Sequence, residues 1–293
     1  MSGRIAVVQM ASGADFEANL AQAQRLIARA AAQGAGLVVL PENFAVMGLS
    51  EQDKFARRET EGSGPIQDLL SAQAAKHRIW IVGGTLPMAS NESTRTYASC
   101  LLFDASGARV ARYDKVHLFD VTLEPSGEEY MESRSTVPGD RVVVVDTPFG
   151  RLGLAVCYDL RFPEMFRAML DRGVELIAVP SAFTAFTGKA HWEILVRARA
   201  LENQCFVLAA AQSGEHGNGR RTYGDSMIVD PWGVVMDRLP QGPGVVTVEC
   251  DRAHQERIRS SFPAVRHRRR SLISGGGNAG ADAGDQPGSQ VQV

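Results

Sequence analysis

The chain has 293 residues, 44% of them hydrophobic and 22% charged, which suits one large globular α/β unit better than two ordinary domains. A formal net charge of −2 gives no electrostatic reason to expect nucleic acid or a membrane surface as a partner. No window approaches the roughly 18 consecutive apolar residues of a membrane span.

The opening MSGRIAVVQM enters a strand-like run at residues 5–10 without a charged leader, so no secretory signal is expected. Residues 15–33 carry Leu20, Ala23, Ile27 and Ala30 at helical spacing, and 37–40 follow as a buried strand stopped by Pro41. A helix over 66–76 and an apolar strand over 79–82 come next. Residues 97–103 and 109–113 form a predicted hairpin, as do 142–146 and 152–156. A helix over 164–170, a strand over 176–179, a helix over 192–202 and a strand over 206–210 complete the alternation. A third hairpin turns at Asp230-Pro231-Trp232-Gly233. The halves echo each other, Leu40-Pro41-Glu42 against Val179-Pro180-Ser181 and Leu102-Phe103-Asp104 against Ile228-Val229-Asp230. That pattern predicts two similar sheets packed face to face with helices outside, a four-layer αββα sandwich. The single domain is expected over 1–273. Residues 274–293 are Gly-rich and too polar to offset their ordering entropy, so a disordered tail is expected there. The basic run Arg266 to Arg270 reads as a solvated or carboxylate-paired segment rather than a nucleic-acid patch.

Cys100, Cys157, Cys205 and Cys250 are widely spaced, with no C-x-x-C pair. That argues against a zinc cluster or a disulfide framework and fits a reduced cytoplasm. Three polar residues close strands or hairpins: Glu42 in LVVLPENF, Lys115 in ARYDKVHLFD and Cys157 in GRLGLAVCYDLRFPE. Strand ends are where side chains of α/β folds converge on a ligand. A cysteine there, beside a cation and a helix N-terminus, would favour thiolate. An amide-cleaving site needs a nucleophile, a proton acceptor and a cation aimed at the oxyanion, and these residues supply one each. Taken singly, Cys157 reads more readily as a small core hydrophobe, and Glu42 and Lys115 suit a helix cap and a surface charge.

The blocks LVVLPENF, YDKVHLFD and GLAVCYDLRFPE, in this order, resemble the signature blocks of the nitrilase superfamily of carbon–nitrogen hydrolases. Residues 180–212 and 223–235 are similar to its Nit branch almost residue by residue. The resemblance implies an αββα fold, homodimers or larger homo-oligomers, and no metal or organic cofactor. It places the nucleophile on Cys157, the general base on Glu42 and the catalytic lysine on Lys115. A second glutamate, orienting the lysine, falls on Glu132, with Glu124, Glu128 and Glu129 as neighbouring alternatives. The implied reaction is hydrolysis of a small carboxylate-bearing amide through a thioester, with the Tyr158 N–H helping Lys115 at the oxyanion. Deaminated glutathione is the first expected substrate. Short ketoacid amides, or the substrates of a carbamoylase or aliphatic amidase, are the alternatives.

Arg161 is a candidate grip for the substrate carboxylate. Its other reading is a structural pair with Asp159 or Glu164. Phe183 and Thr187, placed in a loop after Pro180, resemble pocket-lining positions, although Phe183 equally suits the core. His191 reads as a structural hydrogen-bond partner and His117 as a positioning side chain. No G-x-S-x-G, H-E-x-x-H or Walker-A pattern occurs, which weighs against serine hydrolases, zincins and P-loop NTPases.

Overall fold

A computed structural model describes residues 3–124, 127–217 and 219–269. Its core strands are continuous apolar runs because both of their faces are covered. The first sheet runs Gly244–Cys250, Gly3–Gln9, Ala35–Val39, Trp80–Val82, Thr96–Phe103 and Leu86–Ala89, with Arg109–Asp114 also paired to Thr96–Phe103. The second runs Val235–Leu239, Ser226–Val229, Phe206–Ala211, Leu176–Ser181, Gly150–Leu154 and Val143–Thr147.

Each sheet has the same plan. Three parallel strands (Gly3–Gln9, Ala35–Val39 and Trp80–Val82 in one; Gly150–Leu154, Leu176–Ser181 and Phe206–Ala211 in the other) are flanked by antiparallel partners. Side chains alternate along a strand. Ile5 and Val7 therefore join the core cluster that also holds second-sheet residues such as Leu208 and Ile228. Ala6 and Val8 turn outward onto Leu20, Ile27 and Leu70. These come from the helices Phe16–Ala32 and Pro65–His77. Helices Pro163–Asp171 and Ala185–Asn203 cover the second sheet with Phe166, Trp192 and Val196. The result is the αββα sandwich. Among the described residues no helix is long and apolar enough to cross a membrane.

The helix expected over 192–202 starts two turns earlier, at Ala185. Thr187 and Gly188 are weak helix formers, but the Thr184 side chain accepts the Thr187 N–H and caps the helix. Thr187 thus lies in a first helical turn, not in a loop. Arg268 pairs with Asp171 at 2.8 Å, in line with the carboxylate-paired reading of the basic run, whereas Arg270 lies outside the described residues. The tail expected at 274–293 lies outside them too.

Candidate active site

Glu42, Lys115 and Cys157 come from three different strand ends and meet at one edge of the sandwich. Glu42 stands three residues beyond Ala35–Val39, and its carbonyl accepts Gln212 Nε2–H at 3.0 Å. Gly84 backs this turn in a left-handed conformation, and a Cβ there would lie 2.1 Å from the Pro41 carbonyl oxygen. Lys115 follows Arg109–Asp114 and is clamped by two backbone bonds, its N–H to Ala98 O and its carbonyl from Gly139 N–H. A Cβ on Gly139 would sit 2.1 Å from Asp114 O, so only glycine allows this approach.

Cys157 follows Gly150–Leu154 at φ +48°, a left-handed conformation that costs a non-glycine residue on the order of 1–2 kcal/mol. Asp159, fully buried, holds that turn. Its carboxylate accepts Val156 N–H at 2.7 Å, Tyr113 O–H at 2.6 Å and His117 Nδ1–H at 2.7 Å. His117 also stacks on Phe162 at 3.7 Å, which gives it the positioning role read from the sequence. Neither Asp159 nor Gln212 stood out as a site residue in the sequence, because Tyr113 and His117 lie more than 40 positions from Asp159, and Glu42 lies 170 from Gln212.

Lys115 Nζ donates to Glu42 Oε1 at 2.8 Å and to both Glu132 oxygens, at 3.0 and 2.8 Å. Glu132 is therefore the second carboxylate of the cluster. It is held in turn by Phe119 N–H at 2.7 Å. Glu124, Glu128 and Glu129 are exposed, and Glu129 pairs with Arg134 instead.

Burial alone would raise the Glu42 carboxyl. The charge and hydrogen bond of Lys115, the Cys157 thiol and the Arg220 charge outweigh it and hold Glu42 below its usual range. Burial would also neutralise Lys115, but Glu132 and Glu42 keep it firmly protonated. Cys157 departs from the expectation of a stabilised thiolate. Burial and the Glu42 charge push its thiol up, more than Lys115 and the Ala182 N–H bring it down. The resting site is thus a protonated thiol hydrogen-bonded to an ionised carboxylate, beside an ammonium ion. Such a site delivers its proton as the sulfur attacks rather than storing a thiolate.

The cluster opens into a cavity of about 780 Å³. Tyr158, Arg161, Phe183 and Thr187 all line it. Tyr158 stands edge-on to Phe119 and Phe162. Phe183 packs against Trp192 at 5.0 Å, so it serves core and cavity wall at once. Arg161 pairs with neither Asp159 nor Glu164. It donates to His191 Nδ1 at 3.2 Å and lies over the Tyr158 and Phe183 rings. His191 is kept neutral by burial and by this cation.

A fold of paired α/β layers with this cluster at the strand ends defines a hydrolase class. The carbon–nitrogen hydrolase family model matches residues 4–260, and the chain belongs to that family. It is a hydrolase of carbon–nitrogen bonds. Among curated proteins, the chain is 43% identical over 269 residues to the deaminated glutathione amidase of Yersinia enterocolitica, covering 92% of this chain and 93% of that one. Among solved structures, Nit3 of Saccharomyces cerevisiae, a member of branch 10 of the nitrilase superfamily, superposes with a TM-score of 0.82 at 31% identity, covering 92% and 97%. A mutant amidase from Nesterenkonia sp. AN1, with acrylamide added at its active-site cysteine, has a TM-score of 0.73 at 30% identity, covering 90% and 99%.

Proposed function

We propose that the chain hydrolyses the amide of deaminated glutathione through a thioester on Cys157. The observation that carries the reading is the fourfold cluster itself, with Lys115 bridging two carboxylates beside a thiol bonded to Glu42. Glu42 takes the Cys157 proton as sulfur attacks the amide carbon. Lys115 and the Tyr158 N–H face the oxyanion, Glu132 orients the lysine, and the departing amine leaves with the proton from Glu42. Glu42 then deprotonates the water that cleaves the thioester.

Substrate choice follows from the cavity. At about 780 Å³ it is far roomier than a short ketoacid amide needs, and Arg161 offers a planar fork to an α-keto carboxylate. Deaminated glutathione joins an α-ketoglutaryl group to cysteinylglycine, so the leaving group is an amine larger than ammonia. Kinetics on that substrate, with cysteinylglycine release followed directly, test the reading against an ω-amidase acting on α-ketoglutaramate. A kcat/KM at least tenfold higher for deaminated glutathione is the expected result, and a preference for the primary amide or for neutral aliphatic amides would contradict it.

The protein is read as a homodimer or larger homo-oligomer. Ile194 and Leu201 on one helix stripe, and the stacked Trp232 and Phe262, leave large apolar groups exposed on one face. Light scattering should give a mass of at least two chains, and a monomer at micromolar concentration would refute this. A cytoplasmic location fits four buried free thiols, and recovery from a secreted fraction would contradict it.

A further inference from the structure

The cavity carries a second cation whose surroundings differ from those of Arg161. Arg220 also lines it, immediately before the short strand Arg221–Tyr223. That strand is locked to the segment behind the nucleophile. Tyr223 N–H reaches Phe183 O at 3.0 Å, and Thr222 bridges to Thr184. The Arg220 guanidinium itself donates to Ala182 O at 2.6 Å and lies 5.3 Å over the Tyr130 ring. The same Ala182 backbone N–H helps to bring the Cys157 thiol down. Ala182 thus anchors Arg220 and bears on the reacting sulfur.

Lys54, Lys115 and Arg134 also line the cavity. Lys115 is held between Glu42 and Glu132, and Arg134 is 74% exposed and paired with Glu129 at 3.7 Å. Arg161 lies over the Tyr158 and Phe183 rings, whereas Arg220 lies over the Tyr130 ring and is bonded to Ala182 O. A cavity lined by two anchored guanidinium groups in different surroundings, and by the thiol, suits a substrate that carries two carboxylates. Each fork offers paired N–H donors to a carboxylate, and each is stacked on an aromatic face that limits its motion.

We propose that Arg220 is a specificity-determining residue that binds the carboxylate on the leaving-amine side of the substrate, while Arg161 binds the carboxylate on the acyl side. This rests on the amidase reading above and deepens it. It explains how one site distinguishes a linear dianion from a primary amide or a monoanion with the same reacting bond. A substrate lacking the far carboxylate leaves the Arg220 fork without its ligand, and its binding is weakened accordingly.

The test compares α-ketoglutaryl-cysteinylglycine with the same compound amidated at its C-terminus, by the ratio of their kcat/KM values. Wild type should prefer the free acid. Arg220→Met should collapse that ratio by roughly 10–100-fold, the size of a lost charge-assisted contact, with Arg220→Lys in between. Arg161→Lys should lower both values and leave the ratio standing. The proposal is overturned if Arg220→Met lowers both substrates equally, or if Arg161→Lys or Lys54→Met collapses the ratio instead. Should wild type hydrolyse neither compound, the amidase reading fails on its own, and the anion site is read separately. Cysteinylglycine should then slow iodoacetamide labelling of Cys157 more than cysteinylglycinamide does, and lose that advantage in Arg220→Met and, partly, in Arg220→Lys. Equal protection by the two in wild type would overturn the site as well.

Discussion

Cys157→Ala is expected to lower kcat by on the order of 10⁴–10⁶ while the thermal unfolding temperature stays close to that of wild type. The activity loss follows from covalent catalysis: without the sulfur no thioester forms, so the remaining donors can only orient the substrate for water attack. The fold should tolerate the change because the sulfur faces the cavity and its removal strands no buried charge. Glu42 keeps its bond to Lys115 at 2.8 Å. The backbone strain at φ +48° is the same for alanine as for cysteine. Steady-state kinetics and calorimetry on the same preparation check both halves. Alkylation should follow the same residue, although all four thiols are pushed up, Cys205 and Cys250 to about 12. Selectivity therefore comes from access and from Glu42, since Cys100 and Cys205 are fully enclosed and Cys157 borders the cavity.

Lys115→Met is expected to damage both activity and stability. Loss of one oxyanion donor costs on the order of 10²–10³ in kcat. Lys115 is also only 2% exposed and sits between two carboxylates. Removing it leaves Glu42 and Glu132 facing each other without a counter-ion, and breaking a buried pair in this way costs roughly 3–5 kcal/mol. The pH dependence gives the sign. In wild type, Glu42 is held below the ordinary 4.5, so its pairing stabilises the fold fully above pH 4.5 and is lost as pH falls through the lower folded value. In the variant, burial is opposed by less positive charge, and the Glu42 carboxyl should move upward. Its penalty is then present at neutral pH and relieved on protonation. Denaturant titrations should show the gap between variant and wild type narrowing from pH 7 to pH 4. A double variant with Glu132→Gln should regain part of the stability and none of the rate. A Lys115→Met protein as stable as wild type at pH 7 would contradict the buried-pair account.

The parts of the fold that were legible in the sequence are those where burial writes a long pattern. The runs ending at Val39 and Val82 are apolar throughout because sheet and helices cover both faces, and the helix Phe16–Ala32 carries a regular stripe with Asp15 as its cap. Short or exposed elements left no such record. The hairpin Asp120–Leu123 with Glu128–Met131 is polar and half-exposed, and the helix Arg252–Ser261 buries only Gln255 and Ile258. At the site, the strand-end positions of Glu42, Lys115 and Cys157 could be read, since Glu42 and Cys157 close apolar runs and Lys115 follows a hairpin. The choice of Glu132 over its acidic neighbours could not be made from the residues alone. It depends on which carboxylate the chain turns back toward Lys115, and the Phe119 N–H decides that. The protonation of Cys157 was misjudged for a related reason. Sequence displays the nearby cation, but the ionised Glu42 bonded to the thiol appears only when three strand ends meet. Arg220 had no sequence signal at all, being one of two adjacent arginines in a polar turn.

The most direct test of the central claim is peptide mapping of enzyme acid-quenched during turnover of α-ketoglutaryl-cysteinylglycine. The expected result is an α-ketoglutaryl thioester on the tryptic peptide containing Cys157, formed before steady state, absent from Cys157→Ala and discharged when the quench is delayed past substrate exhaustion. Turnover with no acyl group on Cys157, or with the acyl group on another residue, would contradict the account.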